Sequence, residues 1–163
     1  MRKSKEHLLL ALLRISMGFI MLWAFLDKLF GLAFSTAANK SWLAGASPTE
    51  GFLKMAVKGP FAPFYQSLAG NAVVDWLFML GLLLIGLALI LGIGMKIAGY
   101  AGAALMFLMW SALLFPKNNP IFDEHIIYLL LFLLFATGKA GQSFGLGNWW
   151  ANTQLVKKYP FLE

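Results

Sequence analysis

Apolar residues run along this chain in long stretches broken by short polar segments, without the alternation of a half-buried strand. A bilayer core about 30 Å thick takes about 20 apolar residues in a helix. Four stretches read as spans on this measure, at residues 8–34, 73–91, 97–115 and 121–137. A tight Gly92-Ile-Gly94-Met-Lys96 turn joins the second to the third, and Pro116-Lys-Asn-Asn-Pro120 joins the third to the fourth. Connections this short make neighbouring helices antiparallel. The expected fold class is all-α, an integral membrane antiparallel four-helix bundle. Residues 1–163 form one domain, with an extracytoplasmic loop between the first two helices and an amphipathic C-terminal tail over 139–163.

The first stretch follows Arg2, Lys3 and Lys5, as a signal peptide would. Its apolar run exceeds the usual core of about 7–15 residues, and Arg14 interrupts it, so a retained span is expected. Residues 35–72 are too polar to span. Within them Thr49 to Gly59 reads as a short helix with Phe52, Met55 and Ala56 on one face, or as an irregular loop, ended by Pro60-Phe-Ala-Pro63-Phe-Tyr65. Its aromatics suit a membrane interface. Gly81 and Gly86, then Ala98, Gly99, Ala101, Gly102, Ala103 and Ala104, are small residues of the kind that let helix backbones approach in lipid.

Composition supports this reading. Sixty per cent of the 163 residues are apolar and 12% charged, about half the usual quarter, and the mean hydropathy is +0.75. That excludes a disordered chain, a nucleic-acid-binding domain and an ordinary soluble enzyme. The net charge of +6 then points to anionic lipid rather than nucleic acid. Seven basic residues lie on one side of the expected spans (Arg2, Lys3, Lys5, Lys96, Lys139, Lys157, Lys158) and four on the other (Lys40, Lys54, Lys58, Lys117). The asymmetry puts both termini in the cytoplasm of a multi-pass protein of the cell membrane. The absence of cysteine removes disulfides, thiolate nucleophiles and iron–sulfur clusters. The two histidines, His7 and His125, fall on opposite sides, which removes an intrachain bis-His haem, and no metal is expected.

Charged residues within or beside a span each call for an account, since one at the bilayer centre costs about 2.5–3.5 kcal/mol. Most gather at the outer end: Asp27 and Lys28, Asp75, and Asp123, Glu124 and His125, with Trp23, Trp76, Trp110 and Tyr128 at similar depth. Asn119-Pro120 reads as a helix start, which sets Asp123 and Glu124 near the positive end of the dipole. On such a helix Asp123 points away from His125 and cannot pair with it, whereas His125 and Tyr128 share an arc and can address one ligand. Both are the candidate catalytic groups, His125 as a proton carrier near neutrality. Asp27, Lys28, Asp75, Trp110 and Asp123 are candidate ligand-binding residues. Arg14 is expected to snorkel to the inner headgroups or hold a lipid phosphate, with an anionic substrate as the rarer use.

Several stretches together resemble the DoxX/DoxD family. They are Leu13-Arg14-Ile-Ser-Met-Gly18, Gly86-Leu-Ala-Leu-Ile-Leu-Gly92 followed by Lys96, and Asn119-Pro120-Ile-Phe-Asp123-Glu-His125-Ile-Ile-Tyr128. Gly145-Leu-Gly-Asn-Trp149-Trp150 and Lys157-Lys158-Tyr-Pro160-Phe-Leu162 extend the likeness to the tail. The resemblance implies a four-helix membrane protein and, in some members, the DoxD-type subunit of a thiosulfate:quinone oxidoreductase. Where many members carry a carboxylate in the second helix, this chain reads Met79-Leu-Gly-Leu-Leu83.

The leading functional expectation is therefore a membrane subunit with a quinone-linked or redox-accessory role. Quinone, the one cofactor implied, is not covalently held. It would sit among Trp110, His125 and Tyr128, with Asp27 or Lys28 opposite. A soluble or membrane-attached oxidoreductase is the expected partner, and a homo-oligomer is compatible. A non-enzymatic scaffold of a redox complex is the alternative. A small transporter ranks below both, because no Asp or Glu lies near mid-membrane.

Overall fold

The computed structural model describes residues 2–163, with side chains from residue 5 onward. The side chains of Arg2 and Lys3, which enter the count of basic residues, lie outside the described set. The described residues are helical or irregular, without strands. The helices are α1 (Arg2–Phe30), α2 (Ala62–Ser67), α3 (Ala72–Leu91), α4 (Met95–Ala112), α5 (Glu124–Thr137), α6 (Gly147–Ala151) and α7 (Gln154–Lys158).

Three of these, α1 from Lys5, α3 and α4, are long and apolar enough to cross a membrane. The 20 residues of α3 rise about 30 Å, the thickness of the hydrocarbon layer. Expected boundaries and observed ones part at the ends. α1 stops at Phe30 rather than 34, because Gly31 takes a left-handed conformation with φ +68°. α4 stops at Ala112 rather than 115. α5 starts at Glu124 rather than 121, leaving 14 residues and about 21 Å. Asn119 does cap, its Oδ1 accepting from the Ile121 and Phe122 amides, but the turn it closes does not continue as a helix. Asp123 is the cap of α5 instead, accepting from the His125 and Ile126 amides.

The outward face of α3 shows which solvent the fold suits. Val73, Trp76, Leu77, Leu80, Leu84, Leu87 and Leu91 follow a helical stripe, and all are exposed. A helix on a water-facing surface carries polar residues there. The opposite stripe of Asp75, Met79, Leu82, Ile85, Gly86 and Leu89 is buried. α3 is apolar all round, as a lipid-facing span is.

α1 packs on α3, α4 packs on α5, and α3 links the two pairs through α4. The core joins Met17 and Met21 of α1 to Leu82, Ile85 and Leu89 of α3, and Ala103 and Met106 of α4 to Phe132 and Phe135 of α5. Small residues set both close pairs. A Cβ on Gly86 would lie 2.8 Å from the Leu22 backbone nitrogen, and one on Gly99 would lie 2.7 Å from the Phe132 carbonyl oxygen. Gly81 differs, having nothing within 4 Å of the place a Cβ would take.

Residues 31–71 cover one end of the bundle, called here the loop end. In them Phe52–Ala56 form one π-helical turn that buries Leu53, with Val57 buried just after it. Phe52, Met55 and Ala56, expected on one face, differ in exposure: Phe52 is half-buried, whereas Met55 and Ala56 are exposed. The tail covers the other end, where the Leu146 amide donates to the Leu91 carbonyl and the Lys96 amide to the Glu163 carbonyl.

Gly99→Ala should destabilise the α4–α5 pair by about 1–3 kcal/mol, since the facing Phe132 carbonyl and Ala136 are held in α5. Gly81→Ala should leave stability unchanged or raise it. Thermal unfolding of both variants in one detergent checks the pair of expectations.

Candidate functional site

The expected polar residues are for the most part already engaged. Asp27 is buried and accepts from the Phe34 amide at 3.2 Å, the Ser35 amide at 2.9 Å and the Ser35 hydroxyl at 2.6 Å. It closes the turn that ends α1. Asp75, also buried, accepts from the Ser47 hydroxyl at 2.8 Å and the Thr49 hydroxyl at 2.5 Å. It ties the loop to the first turn of α3. Trp110 donates its indole N–H to the Ile121 carbonyl at 2.7 Å and so holds the connection between α4 and α5.

His125 and Asp123 do pair, contrary to the helical geometry expected of them. Asp123 has extended backbone angles at the cap position, so its carboxylate turns back over the first turn. Its Oδ2 lies 3.0 Å from His125 Nδ1, and the two side chains are each 12% exposed. The ligand atoms of Asp123, Glu124 and His125 come within 4.8 Å of one another, but both Asp123 oxygens are engaged within the cap. Tyr128 packs on the core that holds the buried Phe132 and Phe135, and Ile127 faces outward. Neither His125 nor Tyr128 lines either cavity described below. Of Trp110, His125, Tyr128, Asp27 and Lys28, expected to share a pocket, only Lys28 lines one of these two cavities.

Arg14 does not snorkel. It is fully buried, and NH1 donates to the Leu89 and Ile90 carbonyls at the end of α3. NH2 donates to the carbonyls of Ser143 at 3.1 Å and Phe144 at 2.9 Å in the tail. Its Nε has no partner. The last carbonyls of a helix lack intrahelical partners and carry the negative end of its dipole, so they suit a cation. A phosphate or anionic substrate on Arg14 would have to displace four carbonyls.

Two cavities bear on the candidate site. One of about 240 Å³ lies at the tail end, lined by Lys96, Lys139, Trp150 and Glu163 among others. The larger, about 670 Å³, lies between α3 and α4 beneath the loop. Its walls are Val74, Leu77, Phe78, Gly81 and Ile85 of α3 and Ala101, Ala104, Leu105, Leu108, Met109 and Ala112 of α4. Its roof is Pro48, Thr49, Phe52, Leu53, Phe64, Tyr65 and Leu68. Leu77, Leu108, Ala101 and Ala104 are exposed, so the cavity opens sideways, toward lipid in a membrane. The volume suits a small-molecule site of about 300–1,000 Å³.

The polar groups at its loop end differ in what they have left to give. Tyr65 OH and Ser111 Oγ are 2.6 Å apart, and Ser111 donates to the Leu108 carbonyl, so Tyr65 is the donor to Ser111. Thr49 donates to Asp75. Lys28, half-buried, is the one charged residue in the lining, and no described carboxylate lies within ion-pair distance of it. Of the expected site residues, Lys28 alone reaches this cavity. Sequence reasoning missed the others because it assigned Gly81, Ala101 and Ala104 to helix packing.

No family model, curated protein sequence or solved structure matches this chain.

Arg14→Lys should fail to hold the tail, because a single ammonium cannot reach four carbonyls on two segments. Each buried carbonyl left unpaired costs about 1–3 kcal/mol. Limited proteolysis should release residues 140–163 from the variant and spare the wild type.

Proposed function

We propose that the chain is a DoxX/DoxD-type multi-pass protein of the cell membrane that takes a quinone from the bilayer into the α3–α4 cavity, in a quinone-linked or redox-accessory role. α1, α3, α4 and α5 form its four-helix bundle, with both termini cytoplasmic and residues 31–71 outside. The observation that carries the ligand reading is the cavity. It is apolar, opens sideways between two spans, and has one charged residue in its lining, Lys28, at its loop end. Such a site suits a molecule that arrives through lipid and presents a polar head. A quinone carbonyl would accept from Lys28. The resemblance in sequence supplies the redox context. The chain has no cysteine, so a partner oxidoreductase would supply any thiol or iron–sulfur electron carrier.

The scaffold reading draws on a different observation. Asp27, Asp75, Asp123 and Trp110 all serve the fold, which leaves the outer end without a free acid–base group among them. A subunit that binds quinone without transforming it satisfies both observations.

A short-chain benzoquinone should quench tryptophan fluorescence saturably in the purified protein. Gly81→Phe fills the cavity from a position with open space around it and should weaken binding at least tenfold while sparing the fold. Saturable binding unchanged in Gly81→Phe would move the site elsewhere, and no saturable binding to wild type would favour the scaffold.

Topology is tested separately. The chain has no cysteine, so Met55→Cys and Asn152→Cys introduce single exposed thiols at the two ends. An impermeant reagent on intact cells should label the first and not the second, and the reverse would invert the orientation.

A further inference from the structure

The quinone reading uses the apolar wall of the cavity and treats Lys28 as a hydrogen-bond donor, which leaves its charge unexplained. A lysine ammonium beside an apolar cavity loses part of its hydration, and such charges are stable when paired. Asp27, its sequence neighbour, attracts it through space but forms no ion pair with it, its carboxylate being turned into the 34–35 turn, where it accepts from Phe34 and Ser35. Asp75 is occupied by Ser47 and Thr49. No second lysine, arginine or histidine and no acid lines the cavity. The site therefore offers one positive charge at its loop end and hydrocarbon elsewhere.

The length of the cavity adds to this. Its walls run from Val74 to Ile85 on α3 and from Ala112 to Ala101 on α4, a rise of about 16 Å along each helix. Gly81, Ala101 and Ala104 leave room along that path, and a Cβ on Gly81 would meet nothing within 4 Å. The shape is an elongated apolar groove, open sideways, with Lys28 at its loop end.

We infer that this cavity binds a single-chain amphiphile with an anionic head, in chemical class a long-chain carboxylate, with its head against Lys28 and its chain along Gly81 and Ala104 toward Ile85. One cation matches one negative charge, and one groove matches one chain. The inference rests on the α3–α4 cavity being a ligand site, and it stands whether or not quinone also enters.

The test compares cis-parinaric acid with its methyl ester, which has the same chain without the charge. Binding is read by energy transfer from tryptophan, and Trp76 lies on α3 next to Leu77 of the wall. Wild type, Lys28→Gln, Lys28→Arg and Gly81→Phe are titrated in the same detergent. The wild type should bind the acid at least tenfold more tightly than the ester. Lys28→Gln should bring the acid down to the ester while the ester is unchanged, which also shows that the variant is folded. Lys28→Arg should retain the preference, and Gly81→Phe should lose both ligands. Equal binding of acid and ester to wild type, or a preference that survives in Lys28→Gln, overturns the anionic head while leaving the cavity as a site if Gly81→Phe still loses both. Binding unaffected by Gly81→Phe overturns the cavity reading and this inference with it.

Discussion

A guanidinium with no carboxylate beside it, buried among helices, is the constraint around which the tail end is built. Taking a charge out of water costs several kcal/mol, and Arg14 recovers it from backbone carbonyls rather than from an acid. Two of those carbonyls end α3 and two belong to the tail, so one side chain of α1 fixes three segments. The glycines nearby follow from this demand. A Cβ on Gly92 would lie 3.0 Å from Arg14 NH1, and one on Gly145 would lie 3.0 Å from NH2. Gly92 also has φ +74°, as the left-handed residue that ends α3. The tight turn into α4 and the path of the tail are thus set partly by where an arginine needs oxygen.

The loop end obeys the same rule with the sign reversed. Asp27, Asp75 and Asp123 are each satisfied by N–H or O–H donors close to a helix end, and each ties a connecting segment to a long helix. Charges that a sequence reading would assign to chemistry are here the means of closing turns where the chain leaves the apolar layer. That explains why the spans were legible and the site was not. A run of 20 residues with a single charge, Asp75, announces α3 whatever its neighbours do, and Asn71 caps it visibly. Whether an acid next to a span meets a ligand or the Ser35 hydroxyl depends on how a forty-residue loop folds, which local periodicity does not encode.

The face of α5 was legible in part for the same reason. Phe132 and Phe135 turn inward and Ile127 outward because a helix has a fixed period. The start of α5 was not, because Asn119 and Asp123 both have capping chemistry within five residues. Only the second is followed by a continuous helix. Placing Asp123 outside the helix frees it from the helical period, and this is what brings its carboxylate onto His125.

Small residues have two opposite uses in lipid, and this chain shows both within one pair of helices. Gly86 and Gly99 bring backbones together, whereas Gly81, Ala101 and Ala104 lie where α3 and α4 leave space between them. Spacing alone does not separate the two, since each glycine is removed from bulk in the same way. What separates them is whether a facing helix is present to close the gap. α1 faces Gly86 and α5 faces Gly99, while Gly81 faces the opening between α3 and α4 under the loop roof. The cavity is therefore a consequence of how the bundle is paired. α1–α3 and α4–α5 are the close pairs, and the seam between them stays open along α3 and α4, with Lys28 of α1 the one charged residue in its lining.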